Sequence, residues 1–524
     1  MKPKLEFAKK KIRMAVLGEE SSVPDLLGER ILQNELEFRL EEDDEIYEGY
    51  GRKSSAYPYR QYNDYTRELS EREIRTAVLE NDCLKAVFLP EYGGRLWELW
   101  DKKQGRNLLY TNDVLRFSNL AVRNAWFSGG VEWNIGIIGH SPLTTEPLYT
   151  AETELENGIP VLRMYEYERI RGVPYQMDFW LEPDSPFLNC RMRIVNERSE
   201  VVPMYWWSNM AVCEYEGGRI IVPAEKAFTF GDGAVYKTSL PFVKGIDITD
   251  YKKIPKSTDY FFDIPEKSPK YIANVDRTGY GLLQVSTARL RARKLFSWGN
   301  GDASDRWQEF LTDQAGRYVE IQAGIGKTQY GCVPMAPHTA WEWMEQYGPV
   351  KISPETLSLG HPERTACFAE EQDILSVWEN MEKKLAETKP MARNRAAVVF
   401  PGSGYGALKK QGKLSEHLEF TVKEESLEKW RTFFETSKLH CPPPSLRPDE
   451  FLIDGDNLDF YLIRALYHLG KDKEAYELLE QNGGLEMEDI REGEDSLAQL
   501  WSGLYQNLYG EKKEIPHKYN FKAY

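Results

Sequence analysis

Hydrophobic and polar residues alternate with a period of two in several places between residues 60 and 365. In the segment 190–194, Cys, Met and Ile occupy one side of an extended chain and two Arg occupy the other, and the segment 161–168 alternates in a similar way. Because successive side chains of a strand point to opposite faces of a sheet, this pattern predicts strands with one face in a core and one face in water.

Turns rich in Gly, Pro, Asn and Asp separate these predicted strands. The segments Leu84–Leu89 and Arg95–Trp100 flank a turn at Tyr92–Gly94, which is typical of a β-hairpin. About 300 residues of such strands follow one another without alternating helices. This favours a mainly β protein built as a large antiparallel sandwich over a fold of βαβ units.

The periodicity becomes helical after about residue 369. Ile374, Trp378 and Met381 have the i, i+4, i+7 spacing of one helix face. A longer amphipathic stretch, 458–469, ends at Gly470 and resembles a tetratricopeptide helical pair together with the residues that follow it. One such pair cannot bury its own apolar face, so we expect it to pack on the sandwich and not to form a repeat array.

These changes divide the chain into four predicted regions. They are a lead-in packed on the sandwich (1–59), the sandwich (60–365), a linker with a helix and mixed structure (366–445) and a helical, tetratricopeptide-like extension (446–524).

Composition excludes several classes of function. The 524 residues include 67 Lys and Arg against 83 Asp and Glu, a net charge of −16, which argues against binding to nucleic-acid phosphates. No stretch has the apolar length of a signal peptide or a membrane span, so we predict a cytoplasmic protein without a membrane partner. The six Cys and seven His show no ligand spacing, and we predict no metal and no cofactor. The oligomeric state stays open, with a homo-oligomer as one option.

Aromatic residues are unusually abundant, with 14 Trp, 30 Tyr and 22 Phe. Many Trp lie in polar motifs, of which the densest is the segment 123–142. Four Gly there allow close approach of the backbone to a ligand, the polar side chains can bind hydroxyls, and Trp faces suit the C–H surface of a pyranose. Alternatively, the polar groups satisfy one another in a tight loop. The candidate residues of this segment are Arg123, Asn124, Trp126, Glu132, Trp133, Asn134 and His140.

Two further motifs contain a carboxylate. Glu320 and Gln322 fall on one face of a predicted strand, where they could bind a sugar or place a general base. Glu342 lies between Trp341 and Trp343, a setting that raises a carboxyl pKa and suits a general acid. In both cases the alternative is that these residues belong to an ordinary strand and have no role in a site. Additional candidates for the wall or rim of the same cleft are Trp207, Asn209, Trp298, Asp305 and Trp307.

These motifs resemble known families. The segments 89–96 and 107–110 resemble the opening strands of galactose mutarotase-like proteins, and 129–142 with 298–345 is most similar to the bacterial domain-of-unknown-function family 5107, often joined to tetratricopeptide repeats. The resemblance implies a galactose mutarotase-like β-supersandwich whose concave face binds carbohydrate. Its superfamily includes aldose epimerases, lyases and sandwich domains of glycoside hydrolases.

The resemblance also implies roles for single residues. Glu320 is similar to the general base of epimerases, and His140 is similar to their first sugar-binding His. The epimerase general acid is a His that follows an Asn, whereas here Met210 follows Asn209. Because Met cannot donate a proton, the acid role would have to move to another residue.

We therefore expect a carbohydrate-active enzyme acting on a mono- or oligosaccharide, with a glycoside hydrolase as the leading hypothesis. Glu132 or Glu342 would protonate the leaving oxygen and Glu320 would activate water. The expected hydroxyl-binding residues are Arg123, Asn134, His140 and Asn209. Two alternatives stay open: an aldose or hexose epimerase using Glu320 and His140, and a sugar-binding protein without catalysis.

Overall fold

A computed structural model describes residues 2–24, 36–41, 44, 46–53, 56–118, 125–196, 198, 200–337, 339–387, 397–400 and 402. The helical extension predicted at 446–524, most of the predicted linker, Arg123 and Asn124 lie outside the described residues. Mainly β structure, as predicted, is confirmed.

The predicted hairpin around Tyr92–Gly94 is present, and its second strand is one residue longer than predicted. In the first part of the chain the strands are β1 Lys4–Met14, β2 Glu20–Pro24, β3 Glu37–Arg39, β4 Arg60–Tyr62, β5 Ser70–Glu80, β6 Leu84–Leu89, β7 Arg95–Asp101, β8 Arg106–Asn107, β9 Val131–Ile135, β10 Tyr149–Glu154, β11 Pro160–Glu168, β12 Val173–Leu181, β13 Leu188–Asn196 and β14 Val202–Met204. They continue with β15 Trp206–Cys213, β16 Arg219–Ile221, β17 Lys226–Gly231, β18 Ala234–Ser239, β19 Phe242–Val243, β20 Ile246–Asp247, β21 Thr258–Asp263, β22 Lys270–Val275, β23 Tyr280–Ser286, β24 Ala292–Ser297, β25 Tyr318–Gly324, β26 Val333–Met335, β27 Thr339–Lys351 and β28 Ala397–Phe400.

Helices are few and short within the described residues. They are α1 Asp302–Leu311, α2 Pro354–Ser358, α3 His361–Glu371 and α4 Ile374–Glu387, with 3-10 turns at Pro142–Thr145 and Tyr251–Lys253. The helix predicted from the spacing around Trp378 is therefore confirmed as α4. In contrast, α1 lies inside the predicted sandwich, where the sequence indicated only strands and turns.

Two large sheets face each other. One, here called the cleft sheet, has 13 strands in the order β1-β5-β6-β7-β9-β15-β25-β24-β21-β17-β18-β3, with β8 beside β7. The other, here called the back sheet, has nine strands in the order β16-β22-β23-β27-β13-β12-β11-β10-β28. Neighbouring strands are antiparallel except for β18 and β3, which are parallel. The predicted antiparallel sandwich is confirmed.

The core lies between the two sheets and is rich in aromatic side chains. Trp206 of the cleft sheet and Trp343 of the back sheet meet edge to face, with ring centroids 5.0 Å apart. One carboxylate is buried among them: Glu345 of β27 accepts hydrogen bonds from Ser208, at 2.8 Å, and from three back-sheet side chains. Those three donors are Gln284, Trp343 and Tyr347.

The predicted alternation in 190–194 is confirmed, but its outer face is not in water. Met192 and its neighbours two residues away point into the core, as expected. Arg191 and Arg193 point to the other face of the back sheet, where both are only 4% exposed. Both guanidinium groups bind the carboxylate of Glu342 from the adjacent strand β27. A cluster of three charged side chains, two Arg and one Glu, lies on the face that the sequence assigned to solvent.

Candidate functional site

A row of polar side chains crosses the middle of the cleft sheet. The strand register places Glu132 of β9 opposite Asn209 of β15, Asn209 opposite Gln322 of β25, and Gln322 opposite Lys294 of β24. Because residues paired across strands point to the same face, all four side chains project from the sheet surface that faces away from the core. Antiparallel pairing thus brings together residues that are 190 positions apart in the sequence (322 − 132).

A second row runs beside the first. Glu320, two residues before Gln322 on β25, pairs with Phe296 of β24, and Phe296 pairs with Asp259 of β21. The second row, together with Gln322 and Lys294 of the first, forms the floor of a cleft of about 570 Å³, a volume typical of small-molecule sites. The sequence-predicted residues that line the cleft are Trp126, His140, Trp207, Trp298, Trp307, Glu320 and Gln322.

His140 is held at one wall of the cleft by Glu132. The imidazole Nδ1 lies 3.0 Å from a Glu132 carboxylate oxygen, and Trp126 donates its indole N–H to the same oxygen at 3.2 Å. The ring also packs edge-on against Trp207, with centroids 4.8 Å apart. With Nδ1 engaged by the carboxylate, Nε2 is the nitrogen left to act on a ligand.

Glu132 is ionised. Burial raises the pKa of this carboxyl, but the charges of His140 and Arg95 and the hydrogen bonds from His140 and Trp126 outweigh burial and lower the pKa to about 2. A carboxylate with such a pKa has no proton to give near neutral pH. Glu132 is therefore suited to orient His140 and to stabilise its protonated form, as the buried carboxylate of a catalytic triad does.

The pKa of Glu320 is shifted in the opposite direction from that of Glu132. It is 5% exposed, and burial raises its pKa, with only partial opposition from the positive charges of His140 and Lys294 and from a hydrogen bond with Asn209. Gln322 also donates to its carboxylate at 3.0 Å. A raised pKa is what a carboxyl needs to exchange protons near neutral pH.

The structure places three important residues here that the sequence did not single out. Arg95 is buried next to Glu132, with the guanidinium 3.8 Å from the carboxylate, and it donates to the carbonyl of Gly129 at 2.7 Å. Lys294 pairs with Asp259 at 2.7 Å at the other end of the floor. Arg95 could have been noticed from the sequence, because it is a charged residue directly after two Gly in a predicted turn. The local sequence contains no comparable signal for Lys294 or Asp259.

Glu342 and Trp341 lie on the back sheet, outside the cleft. Trp341 is buried in the core between the sheets. Glu342 lies on the opposite face, in ion pairs with Arg191 and Arg193. The structure does not bring this carboxylate near Glu320, so our proposal gives it no role in catalysis.

Four other residues that the sequence suggested do not line the cleft. Asn134 accepts a hydrogen bond from the backbone of Ser141 at 2.6 Å, which fixes the loop that carries His140. Trp133 packs in the core, and Asp305 of α1 pairs with Arg317. Asn209 is buried below the floor. Its neighbour Met210 faces the core, so the position that would hold the epimerase acid does not point into the cleft.

Two kinds of feature do not occur in the part of the chain that the structure describes. It has no cluster of three or more His, Cys, Asp or Glu side chains arranged to hold a metal ion. Within the same residues, no helix combines the length and the apolar character needed to cross a membrane.

Comparison with known proteins gives a family and a fold. The model of a family described as a domain of unknown function, DUF5107, matches residues 52–340, more than half of the chain. A TPR-domain containing protein from Parabacteroides distasonis has a TM-score of 0.58 and 19% identity, over 97% of this chain and 78% of that chain. At this identity the match shows a shared fold.

Two smaller solved structures are also similar. A galactose mutarotase-like protein from Clostridium acetobutylicum has a TM-score of 0.41 and 12% identity, over 53% of this chain and 96% of that chain. A putative aldose 1-epimerase from Escherichia coli K12 has a TM-score of 0.38 and 12% identity, over 52% of this chain and 98% of that chain.

Proposed function

Since the chain belongs to the DUF5107 family, which is described only as a domain of unknown function, we propose a function from the chemistry of the cleft. The protein is a carbohydrate-active enzyme in which Glu320 and His140 transfer protons to and from a bound sugar. The observation that carries this proposal is their placement in one cleft, with His140 oriented by the ionised Glu132. The walls add Trp faces, which suit the C–H surface of a pyranose.

The reaction that these two groups suit best is the opening and closing of a sugar ring. The carboxylate of Glu320 takes the proton of the anomeric hydroxyl while protonated His140 gives a proton to the ring oxygen, and the bond from the anomeric carbon to that oxygen breaks. The product is the open-chain aldehyde. Rotation of the aldehyde and the reverse transfers close the ring with the other configuration, and both residues return to their starting states.

Exchange NMR on free sugars tests this proposal. The full chain is expected to accelerate interconversion of the two anomers of at least one sugar among glucose, galactose, mannose and xylose. His140→Gln is expected to lower that rate by roughly 100- to 10,000-fold, because the proton donor is lost. Phe242→Ala, which changes an exposed aromatic residue outside the cleft, is the control. No acceleration with any sugar would contradict ring opening as the function.

Hydrolysis of a glycosidic bond is a second candidate, favoured by one observation. Asp259 lines the cleft together with Glu320, and β24 separates their strands, so the two backbones are about 9–10 Å apart. Inverting glycosidases hold two carboxyl groups roughly 6.5–9.5 Å apart. In this alternative Glu320, with its raised pKa, protonates the leaving oxygen and Asp259 activates water, in contrast to the roles that the sequence suggested.

Sugar release from a glycan panel separates the two reactions. Hydrolysis predicts reducing sugar from at least one glycan and its loss in Asp259→Asn, because water is then not activated. Ring opening predicts no release and retention of anomer exchange in Asp259→Asn. A protein that binds sugars and gives neither reaction would be a binding protein without catalysis.

A further inference from the structure

Helix α1 is attached to the protein mainly by polar side chains. Ser304, Gln308 and Leu311 recur at the i, i+4, i+7 spacing and are buried on its inner side. Ser304 donates to the carbonyl of Trp298 at 2.5 Å, and Gln308 accepts from the backbone N–H of Tyr318 at 2.8 Å. The helix is thus fixed to Trp298, directly after β24, and to β25 at Tyr318.

The outer side of α1 is unusual because it presents large aromatic residues. Trp307 is 42% exposed and Phe310 is 40% exposed. Surface helices normally bury their apolar stripe and leave polar residues in water, whereas α1 buries Ser and Gln and exposes two rings. The rings stand at 86° to each other with centroids 5.8 Å apart, and they form one continuous aromatic corner.

This aromatic corner begins in the cleft and extends out of it. Trp307 lines the cleft, and Phe310 does not. The guanidinium of Arg67 stacks on the ring of Phe310, 3.7 Å from the ring centroid, and donates to the Phe310 carbonyl at 3.0 Å. The surface next to the cleft mouth therefore consists of the exposed parts of two rings and a guanidinium group stacked on one of them, which carries further N–H donors.

We propose that Trp307, Phe310 and Arg67 form an outer saccharide subsite, which takes a second sugar ring of a substrate whose first ring lies in the cleft. This inference rests on the proposed function, because it assumes a sugar in the cleft. Aromatic rings pack on the apolar faces of pyranoses, and a guanidinium donates to hydroxyl oxygens. Continuity with the cleft identifies the occupant: a ligand leaving past Trp307 reaches Phe310 next. The substrate class is then a linked saccharide of at least two rings.

Titration calorimetry with sugars of increasing length tests the outer subsite. The probes are glucose with maltose and cellobiose, galactose with galactobiose, mannose with mannobiose, and xylose with xylobiose. We expect the wild-type chain to bind at least one disaccharide about tenfold more tightly than its monosaccharide. Phe310→Ala should remove that gain and leave the monosaccharide affinity within about twofold, because Phe310 does not line the cleft.

Controls separate this proposal from the proposed function. Phe242→Ala removes an aromatic residue that is 64% exposed elsewhere, and it should keep the disaccharide gain. Equal affinities for both lengths in the wild-type chain, or a gain retained in Phe310→Ala, would overturn the outer subsite while leaving the cleft function intact. Absence of binding to all probes would instead refute the proposed function. A further outcome is that the wild-type chain is a dimer, that Phe310→Ala dissociates it, and that sugar binding does not change. The aromatic corner would then be an interface between copies, and this result would also overturn the proposal.

Discussion

Glu320→Gln is expected to abolish turnover of the sugar and, at neutral pH, to increase the stability of the protein. A positioned general base or acid contributes roughly 100- to 10,000-fold to a rate, and the amide that replaces it cannot take or give the proton. Gln keeps the size of the side chain and can still hydrogen bond to Asn209 and Gln322. Anomer exchange or sugar release, measured per folded molecule, should therefore fall by at least about 100-fold.

The gain in stability follows from the pKa of Glu320. Burial raises this pKa above its ordinary value of 4.5, so the folded state binds the proton more tightly than the unfolded chain. The wild-type protein consequently loses stability as the pH rises from about 4.5 through the raised pKa. The Gln variant has no such loss, so its advantage in melting temperature should be small at pH 4 and larger at pH 7 to 8.

Glu342→Gln is the matched control for this result. It is the same substitution at another buried Glu, but it leaves Arg191 and Arg193 without their carboxylate. Breaking a buried ion pair costs about 3–5 kcal/mol of unfolding free energy, while the cleft keeps its chemistry. We expect a less stable variant with normal turnover per folded molecule. Wild-type turnover in Glu320→Gln, or loss of turnover in Glu342→Gln, would contradict the assignment of the cleft.

Glu132→Gln is expected to have the second large effect, with the opposite sign on stability. Its carboxylate has a folded-state pKa of about 2 against 4.5 for an ordinary Glu. At neutral pH this difference corresponds to about 3 kcal/mol of unfolding free energy. That contribution is present above pH 4.5 and is lost as the pH falls towards 2. Turnover should fall as well, because His140 loses the group that orients it.

Denaturant unfolding at several pH values tests this prediction. The variant should be less stable than wild type by about 3 kcal/mol at pH 7, and the difference should shrink at pH 3. Glu216→Gln changes a side chain that is 86% exposed, and it should alter the unfolding free energy by less than about 0.5 kcal/mol. Equal stability of wild type and Glu132→Gln at pH 7 would show that the pair with His140 does not hold the carboxylate ionised.

Period-two alternation predicted two residues of the cleft floor. It placed Glu320 and Gln322 on one face of a strand, and the structure puts that face in the cleft. The hairpin around Tyr92–Gly94, the mainly β sandwich and the resemblance to the DUF5107 family were also predicted, and all are confirmed. These features depend on short stretches of sequence, in which neighbouring residues carry the whole signal.

The sequence expectation placed Glu320 and Glu342 in the same cleft, and it could not show that only Glu320 lies there. Both are carboxylates that alternate with buried apolar residues, and the local pattern is the same. What separates them is strand pairing: β25 lies among strands that form a concave floor, whereas β27 lies beside β13, whose Arg side chains bind Glu342. Sheet order is decided by contacts between distant segments, and a single sequence does not display it.

Two other features were missed for related reasons. Lys294 and Asp259 form a pair only because β24 and β21 are neighbours in the sheet. Helix α1 was missed because the usual signal is a stripe of apolar residues on the buried side. In α1 the buried stripe includes Ser304 and Gln308, while Trp307 is exposed.

The buried carboxylate of Glu345 connects the cleft sheet to the back sheet through hydrogen bonds. Ser208, which donates to this carboxylate at 2.8 Å, lies on β15 between Trp207 of the cleft wall and the buried Asn209. A buried carboxylate that accepts four hydrogen bonds holds its donors in place and resists deformation. Residues that never meet the ligand, such as Gln284 on the far sheet, therefore share in setting the shape of the cleft. Laboratory evolution towards a new sugar would be expected to select changes there as well as in the cleft itself.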